Sequence, residues 1–141
     1  MTENQIKLPI IPVNNAGLCV EVEFNLGLGN EKPVIALFST ALDQTYIAKR
    51  LYDEISKSPL ITGHGTHDSG AYYVGTMDKY WHGVIPHPLE RGEEIAVIVA
   101  EFSKEYPVEL IMGVNITLQY NTMRVDPSEG FVTLSGHRPT N

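Results

Sequence analysis

The chain lacks a second cysteine, a long apolar run and a secretion signal. Cys19 is the only cysteine among 141 residues, which excludes a disulfide bond within the chain. The longest apolar run is the six residues from Ile95 to Ala100, whereas about 20 are needed to span a bilayer. The first residues have neither the basic nor the apolar region of a signal peptide. We therefore expect a protein that is made in the cytosol and has no membrane partner.

Basic residues are also scarce. The chain has 10 Lys and Arg against 17 Asp and Glu, which gives a formal net charge of −7. Apart from Lys49-Arg50, the basic residues are scattered singly, so no basic stripe is available to neutralise a phosphate backbone. Nucleic acid is therefore not expected as a partner.

Alternating and continuous apolar segments predict β-strands. The segment from Val108 to Tyr120 is apolar at every second position, which is typical of a half-buried strand, and Leu18 to Leu26 has the same pattern. Glu93 to Phe102 is apolar on both faces, which predicts a central strand. The short link Ser103 to Pro107 is expected to join it to Val108–Tyr120 as a hairpin. Cys19 falls on the polar side of its strand and is interpreted as a surface thiol.

Further strands are expected at Pro33–Phe38, Gly70–Met77 and Tyr80–Pro86, with a tight turn at Asp78-Lys79. A last short strand, Phe131–Ser135, is expected at a sheet edge after a turn at 126–130.

One helix is predicted from Ser39 to Lys57. Thr40 and Asp43 form a plausible capping pair, and an apolar stripe follows at helical spacing.

These elements predict a mainly β protein, a two-sheet β-sandwich of which the jelly roll is one form. It would contain about eight strands and one amphipathic helix near residues 40–57. Residues 14–141 are expected to form a single domain. Residues 1–13 are expected to form an extended arm, because Pro9 and Pro12 exclude a helix and disfavour a central strand. The apolar arm docks either on its own domain or on a neighbouring subunit.

A glycine-rich segment at residues 61–70, interpreted as a loop, is the part of the sequence that most suggests chemistry. His64-Gly65-Thr66-His67 and Gly70 resemble the histidine motif of subtilisin-like serine proteases, which implies a general base at His64. That family also needs a nucleophilic serine, and the downstream Gly75-Thr76 is followed by Met77. Asp68-Ser69-Gly70 resembles the family's aspartate motif, but it follows the histidine instead of preceding it. We therefore predict that His64 is not a catalytic base.

The same segment offers weak candidates for a metal site. His64, His67 and Asp68 are clustered, with His82 and His87 further along the chain. Such side chains can hold zinc, but their spacing matches no standard zinc signature. Solvated histidines are the simpler interpretation, and no metal is expected.

Aromatic side chains are concentrated in the following hairpin, residues 72–82. Because successive residues in a strand face opposite ways, about half of these side chains should be exposed and able to stack on a sugar or contact a protein. Ordinary sheet aromatics are the alternative interpretation. The candidate ligand-binding residues are Tyr72, Tyr73, Tyr80, Trp81 and His82.

No complete catalytic constellation or phosphate loop remains, so neither an enzyme nor a cofactor is expected. The predicted function is a non-catalytic structural or interaction subunit of a multi-copy assembly, such as a virion shell or appendage. Its partners would be copies of itself and other structural proteins. One alternative is a module that binds carbohydrate or another small ligand at residues 72–82. A second is a metal-dependent enzyme that uses His64 and His67.

Overall fold

The computed structural model describes residues 5–14, 17–27, 30–55, 63–73, 76–84 and 94–137. For 25–27, 30, 55, 63–73, 76–84, 94–96 and 137 it describes the backbone alone. The elements in chain order are β1 (Gln5–Pro9), β2 (Cys19–Gly27), β3 (Asn30–Phe38), β4 (Thr45–Ala48), α1 (Lys49–Ile55), β5 (Gly63–Tyr73), β6 (Thr76–Val84), β7 (Glu94–Ala100), β8 (Leu110–Met112), α2 (Val114–Thr117), β9 (Tyr120–Asp126) and β10 (Phe131–His137).

The strands form two sheets, which confirms the predicted mainly β, two-sheet architecture. The larger sheet has seven strands in the order β2-β3-β8-β4-β7-β6-β5, and the smaller has three in the order β1-β10-β9. Two neighbouring pairs of the larger sheet, β3 with β8 and β4 with β7, run parallel. Parallel neighbours require crossover connections, and the alternation patterns gave no indication of them.

The main core is built from side chains of both sheets. Leu8, Val132 and Leu134 of the smaller sheet are fully buried in the same cluster as Val20 and Ile47 of the larger one. Each such side chain contributes roughly 1.5–3 kcal/mol when it leaves water. The sandwich is therefore held together by apolar contact between its two sheets.

A smaller apolar cluster contains Cys19 and Val108. Tyr106 and Ile111 pack against it as partly buried neighbours. Cys19 is 1% exposed, so the prediction of a surface thiol was wrong, and burial raises the pKa of that thiol. The alternation had placed Cys19 on the outer face correctly, but the connection from β7 to β8 covers that face.

Strand β7 is central, as predicted. It pairs with β4 on one side and β6 on the other, and Val97, Ile98 and Val99 are all buried. The predicted hairpin between β7 and the next strand was wrong. Strand β4 lies between β7 and β8 and pairs with both.

Two long elements expected from periodicity are each divided. The single strand predicted over Val108–Tyr120 is instead β8 followed by the short helix α2, and the chain changes direction at Gly113. The helix predicted over residues 39–57 is confirmed only in its second half, since residues 39–44 form a loop and 45–48 form β4. Packing overrides local propensity here, because Thr45 and Ile47 are buried inside the larger sheet.

The apolar N-terminal segment packs on its own chain. Strand β1 pairs with β10, Leu8 is fully buried, and Ile6 and Ile10 pack against the main core. Strand β10 therefore lies in the middle of the smaller sheet and not at its edge, which corrects the expectation for residues 131–135.

Arg50 of α1 ties this helix to the connection between β7 and β8. Its guanidinium donates to Glu109 Oε2 at 2.9 Å and to the carbonyl oxygens of Ser103 and Tyr106 at 3.1 and 2.7 Å. The arrangement fixes the approach to β8, because the backbone of Glu109 also bridges Ile35 of β3 and Ala48 of β4.

In the parts of the chain that are described, no helix is both long and apolar enough to cross a membrane.

Candidate functional site

The candidate site is the loop Ser39–Gln44, which we call the crossing loop. Strand β3 ends at Phe38 beside Met112 in parallel register, and β4 begins at Thr45 and runs antiparallel to β8. The crossing loop therefore carries the chain from one side of β8 to the other, around the end of that strand. Connections of this kind leave loop side chains just beyond the ends of the strands, where binding sites often form.

Gly113 allows the crossing loop to pass close to the chain leaving β8. A Cβ atom at this position would overlap the carbonyl oxygen of Gln44 and lie 2.7 Å from that of Leu42. The contact is closed by backbone hydrogen bonds, from Val114 N to Leu42 O at 2.9 Å and from Ser39 N to Met112 O at 3.0 Å. The absence of a side chain at residue 113 is therefore a steric requirement of the crossing.

The buried hydroxyl of Thr45, the residue that follows the crossing loop, forms hydrogen bonds that fix the end of the loop. Thr45 is 0% exposed, and its Oγ1 donates to Asn115 Oδ1 at 2.6 Å while accepting from the backbone N–H of Gly113 at 3.2 Å. Gln119 Nε2 donates to the carbonyl oxygen of Asn115 at 2.9 Å. Satisfied buried networks of this kind specify a single arrangement of their backbone. The loop is thus held on a fixed base.

The crossing loop offers hydroxyl, amide and carboxylate groups. Thr40, Ala41 and Asp43 are exposed, whereas Ser39 and Gln44 are half-buried. Among the described residues, neither Ser39 nor Thr40 hydrogen-bonds to Asp43, and no group of three or more metal-ligating side chains is present. The loop can therefore donate to and accept from a bound polar chain, but it displays no assembled catalytic pair.

Sequence reasoning missed this site because it assigned residues 39–44 to the first turn of a helix. The available signal was a polar segment that directly follows the buried strand Pro33–Phe38, combined with a second interruption at Gly113. Relating the two requires knowing that β8 inserts between β3 and β4, which no local pattern shows.

The predicted ligand-binding residues are placed on two adjacent strands. Tyr72 and Tyr73 lie in β5, and Tyr80, Trp81 and His82 lie in β6. The expected turn at Asp78-Lys79 was wrong, because both residues lie inside β6 and the chain reverses between Tyr73 and Thr76.

The histidine-rich segment is also strand and not loop. In the β5–β6 register His64 lies opposite His82, and His67 lies opposite Tyr80, with irregularities between His64 and His67 and after Asp68. These side chains, and the whole of His87, lie outside the described part of the chain. The metal site and the aromatic site therefore stay predictions.

Comparison with known proteins gives a likeness in structure alone. No family model and no curated protein matches the sequence. The fold is similar to the crystal structure of a retropepsin-like aspartic protease from Rickettsia conorii, with a TM-score of 0.60 and 8% sequence identity. The match covers 96% of this chain and 95% of that one. At 8% identity, the likeness shows that the two chains have a similar fold and shows nothing further.

This likeness contradicts the expected role as a structural subunit of a virion shell or appendage. That prediction was wrong because it rested on a compact β-sandwich without disulfides, and such a fold is compatible with many functions. The comparison points instead to a fold that a protease uses.

Proposed function

We propose that this chain binds extended polypeptide segments at the crossing loop and does not hydrolyse them. The fold likeness supports a polypeptide as the ligand, because the similar structure is that of a protease. The observation that carries the non-catalytic part is that the crossing loop holds one carboxylate, Asp43, and that this residue is exposed.

Aspartic proteases need two carboxylates that share one proton at about 3 Å, in an environment that separates their pKa values. A single exposed carboxylate cannot act as both the acid and the base of such a pair. The hydroxyl groups of Ser39 and Thr40 do not replace it, because a hydroxyl nucleophile needs an adjacent base. Their arrangement supports binding by hydrogen bonds.

The geometry also supports binding through its rigidity. A loop anchored by the Gly113 contact and by the Thr45 hydroxyl loses little conformational freedom when a ligand orders it. The hydroxyl groups of half-buried Ser39 and exposed Thr40 suit the repeating N–H and C=O groups of an extended chain. Binding without a covalent step is therefore the function for which this site is best formed.

An acid peptidase is the second candidate, and the fold likeness is the observation that favours it. The next aspartate after Asp43 and Asp53 is Asp68, which opens the triplet Asp68-Ser69-Gly70 within β5. This candidate would require Asp68 and Asp43, or two copies of either, to approach each other.

A degenerate peptide library separates the two candidates. The protein and its Asp43→Asn and Asp68→Asn variants are incubated with the library between about pH 3 and pH 8, which includes the acidic range in which a carboxylate pair can share one proton. We expect mass spectrometry to find no new peptide termini with any of the three proteins. Cleavage that disappears in either variant would identify a peptidase and overturn the proposal.

Binding is measured on the same library by co-elution of intact peptides with the protein. Ala41→Trp blocks the exposed part of the crossing loop, and Glu105→Trp places the same bulk on an exposed residue of another connection. We expect Ala41→Trp to lose the peptides and Glu105→Trp to retain them. Equal retention by both variants would place binding elsewhere.

A further inference from the structure

The free edge of β9 is a second surface that the crossing loop does not explain. Strand β9 forms one edge of the smaller sheet, and in the described part of the chain only β10 pairs with it. All five residues from Asn121 to Val125 are exposed. An exposed strand edge presents unpaired N–H and C=O groups and is a template for one more strand.

On one face of β9, apolar side chains continue past the edge of the buried core. Met123 lies opposite Leu134 and Val125 lies opposite Val132, and both β10 residues are fully buried. Met123 and Val125 themselves remain 36% and 42% exposed. The face of the sheet that is buried at β10 is therefore partly open to solvent at β9. A strand added beside β9 could bury these two side chains with apolar residues at alternate positions.

The other face of β9 carries an available positive charge. Arg124 lies in one row with Thr133 and Lys7, across the three strands. Lys7 is engaged over the ring of Phe131, with its Nζ 5.6 Å from the centroid. Arg124 is exposed and forms no ion pair at contact distance with a described residue, although its charge also helps to lower the pKa of the Asp126 carboxyl. An acidic side chain directly across from Arg124 would complete a cross-strand charge pair.

The opposite edge of the same sheet is protected. Strand β1 contains Pro9, which offers no N–H to an added strand, and Leu8 already covers the core there. Strand β9 has no proline between Tyr120 and Asp126. The smaller sheet is thus open on the β9 side.

From these observations we infer that the β9 edge binds an extended segment of a partner protein in which apolar and acidic residues alternate. The apolar residues cover Met123 and Val125, and an acidic residue faces Arg124. The surface belongs to the smaller sheet and shares no residue with the crossing loop, and the inference does not depend on whether the protein cleaves peptides.

A second copy of this chain fits the edge less well than an acidic segment does. Antiparallel pairing of two β9 strands over their full length, centred on Met123, places Arg124 opposite Thr122 of the second copy. The only carboxylate of the strand, Asp126, already accepts hydrogen bonds from Ser128 Oγ at 2.9 Å and Glu129 N at 3.2 Å.

Two synthetic peptides of about eight residues test the inference, a length that matches one added strand. One alternates valine with glutamate and the other alternates valine with lysine, both with blocked ends. Fluorescence anisotropy measures their binding to the intact protein, to Arg124→Glu and to Met123→Lys. Lys7→Glu is the matched control, since it removes a positive charge from the same face at the protected edge.

We expect the valine–glutamate peptide to bind the wild type and Lys7→Glu with Kd values within about twofold of each other. Arg124→Glu should weaken that binding at least about fivefold and gain affinity for the valine–lysine peptide. Met123→Lys should weaken binding while leaving the fold intact, because this side chain is partly outside the core.

Absence of binding by the valine–glutamate peptide, equal binding of both peptides to the wild type, or equal damage from Lys7→Glu and Arg124→Glu would each overturn the inference. Analytical ultracentrifugation of the wild type and Met123→Lys measures the oligomeric state independently. A dimer that Met123→Lys dissociates would assign the edge to a second copy instead of an acidic segment.

Discussion

Gly113 is the residue on which the crossing of two connections depends. The space of its missing side chain is filled by the carbonyl oxygens of Gln44 and Leu42. Because those atoms belong to the backbone, they cannot move aside without breaking the hydrogen bond from Val114 N to Leu42 O. The residue thus links the position of α2 to that of the crossing loop.

We predict that Gly113→Ala lowers the free energy of unfolding by about 3 kcal/mol or more, the upper range for inserting a methyl group into a closed contact. Gly130→Ala is the matched control. Gly130 has φ of +80° but nothing within 4 Å of an added Cβ, so it should lose only about 1–2 kcal/mol from backbone strain. Urea unfolding of both variants measures the difference. A Gly113→Ala cost no larger than that of Gly130→Ala would refute the close crossing.

Asp126 gives a prediction about pH at the turn between β9 and β10. Hydrogen bonds from the Ser128 hydroxyl and the Glu129 N–H hold the pKa of this carboxyl below its usual value. A carboxyl whose pKa is lower in the folded state stabilises the fold above its unfolded pKa of about 3.9 and loses that contribution as pH falls through the folded value.

The carboxyl carbon of Asp126, followed by NMR, should therefore titrate below about pH 3.9, and Ser128→Ala should move the midpoint upward. If the midpoint does not respond to Ser128→Ala, the hydroxyl is not the principal cause of the shift.

Among the elements, β8 is a very short strand whose position between its two neighbours is fixed at both of its ends. It has three residues, yet it pairs with both β3 and β4. Its exit is set at Gly113 and its entry at Glu109, where Arg50 binds the connection from β7. We interpret Arg50 as the residue that fixes this entry.

Arg50→Ala should accelerate amide hydrogen exchange at Tyr106, Glu109 and Ala48, whose N–H groups donate within or beside the connection. Arg50→Lys should restore little of the protection, because an ammonium cannot reach several acceptors in a fixed plane. Lys49→Ala is the control, since the ion pair that Lys49 forms among the described residues is with exposed Asp53 on the helix surface. Unchanged protection from hydrogen exchange in Arg50→Ala would show that the connection between β7 and β8 is ordered without Arg50.

The elements that could be predicted from the sequence are those in which periodicity and burial agree. Val20, Val22 and Phe24 alternate along β2 and are buried as expected, and β7 is apolar on both faces because both are covered. The pattern over Val108–Tyr120 failed because Met112 and Ile116 are both buried, although one lies in a strand and the other in a helix. Burial was predicted correctly at those two residues but not at Leu118 of the same alternation, which is 60% exposed, and the element was wrong.

The candidate site was less predictable than the fold. Histidines and aromatic residues drew attention to residues 61–82, whereas the crossing loop has a plain composition. Its character comes from contacts with Met112, Gly113 and Val114, about 70 residues later in the chain. No local signal connects segments at that separation.

For the whole molecule, two apolar features that a neighbouring subunit could have covered, the N-terminal arm and strand β7, are covered within one chain. Leu8 is buried in the chain's own core, and both faces of β7 are covered by the same domain. Self-association stays a prediction, but the arm is no longer the reason for it. The uncovered apolar surface in the described residues is instead at Leu118, Met123 and Val125.

Under the proposed function, the crossing loop binds a peptide without cutting it, in a fold similar to that of a protease. A ¹⁵N-resolved NMR time course of the protein with an unlabelled peptide mixture tests both parts in one sample. We expect the amide signals of residues 39–44 and Gly113 to shift on addition, and the peptide signals to remain those of intact chains for days. Progressive appearance of new peptide termini would show cleavage, and shifts confined to other parts of the molecule would place binding elsewhere; either result would refute the proposed function.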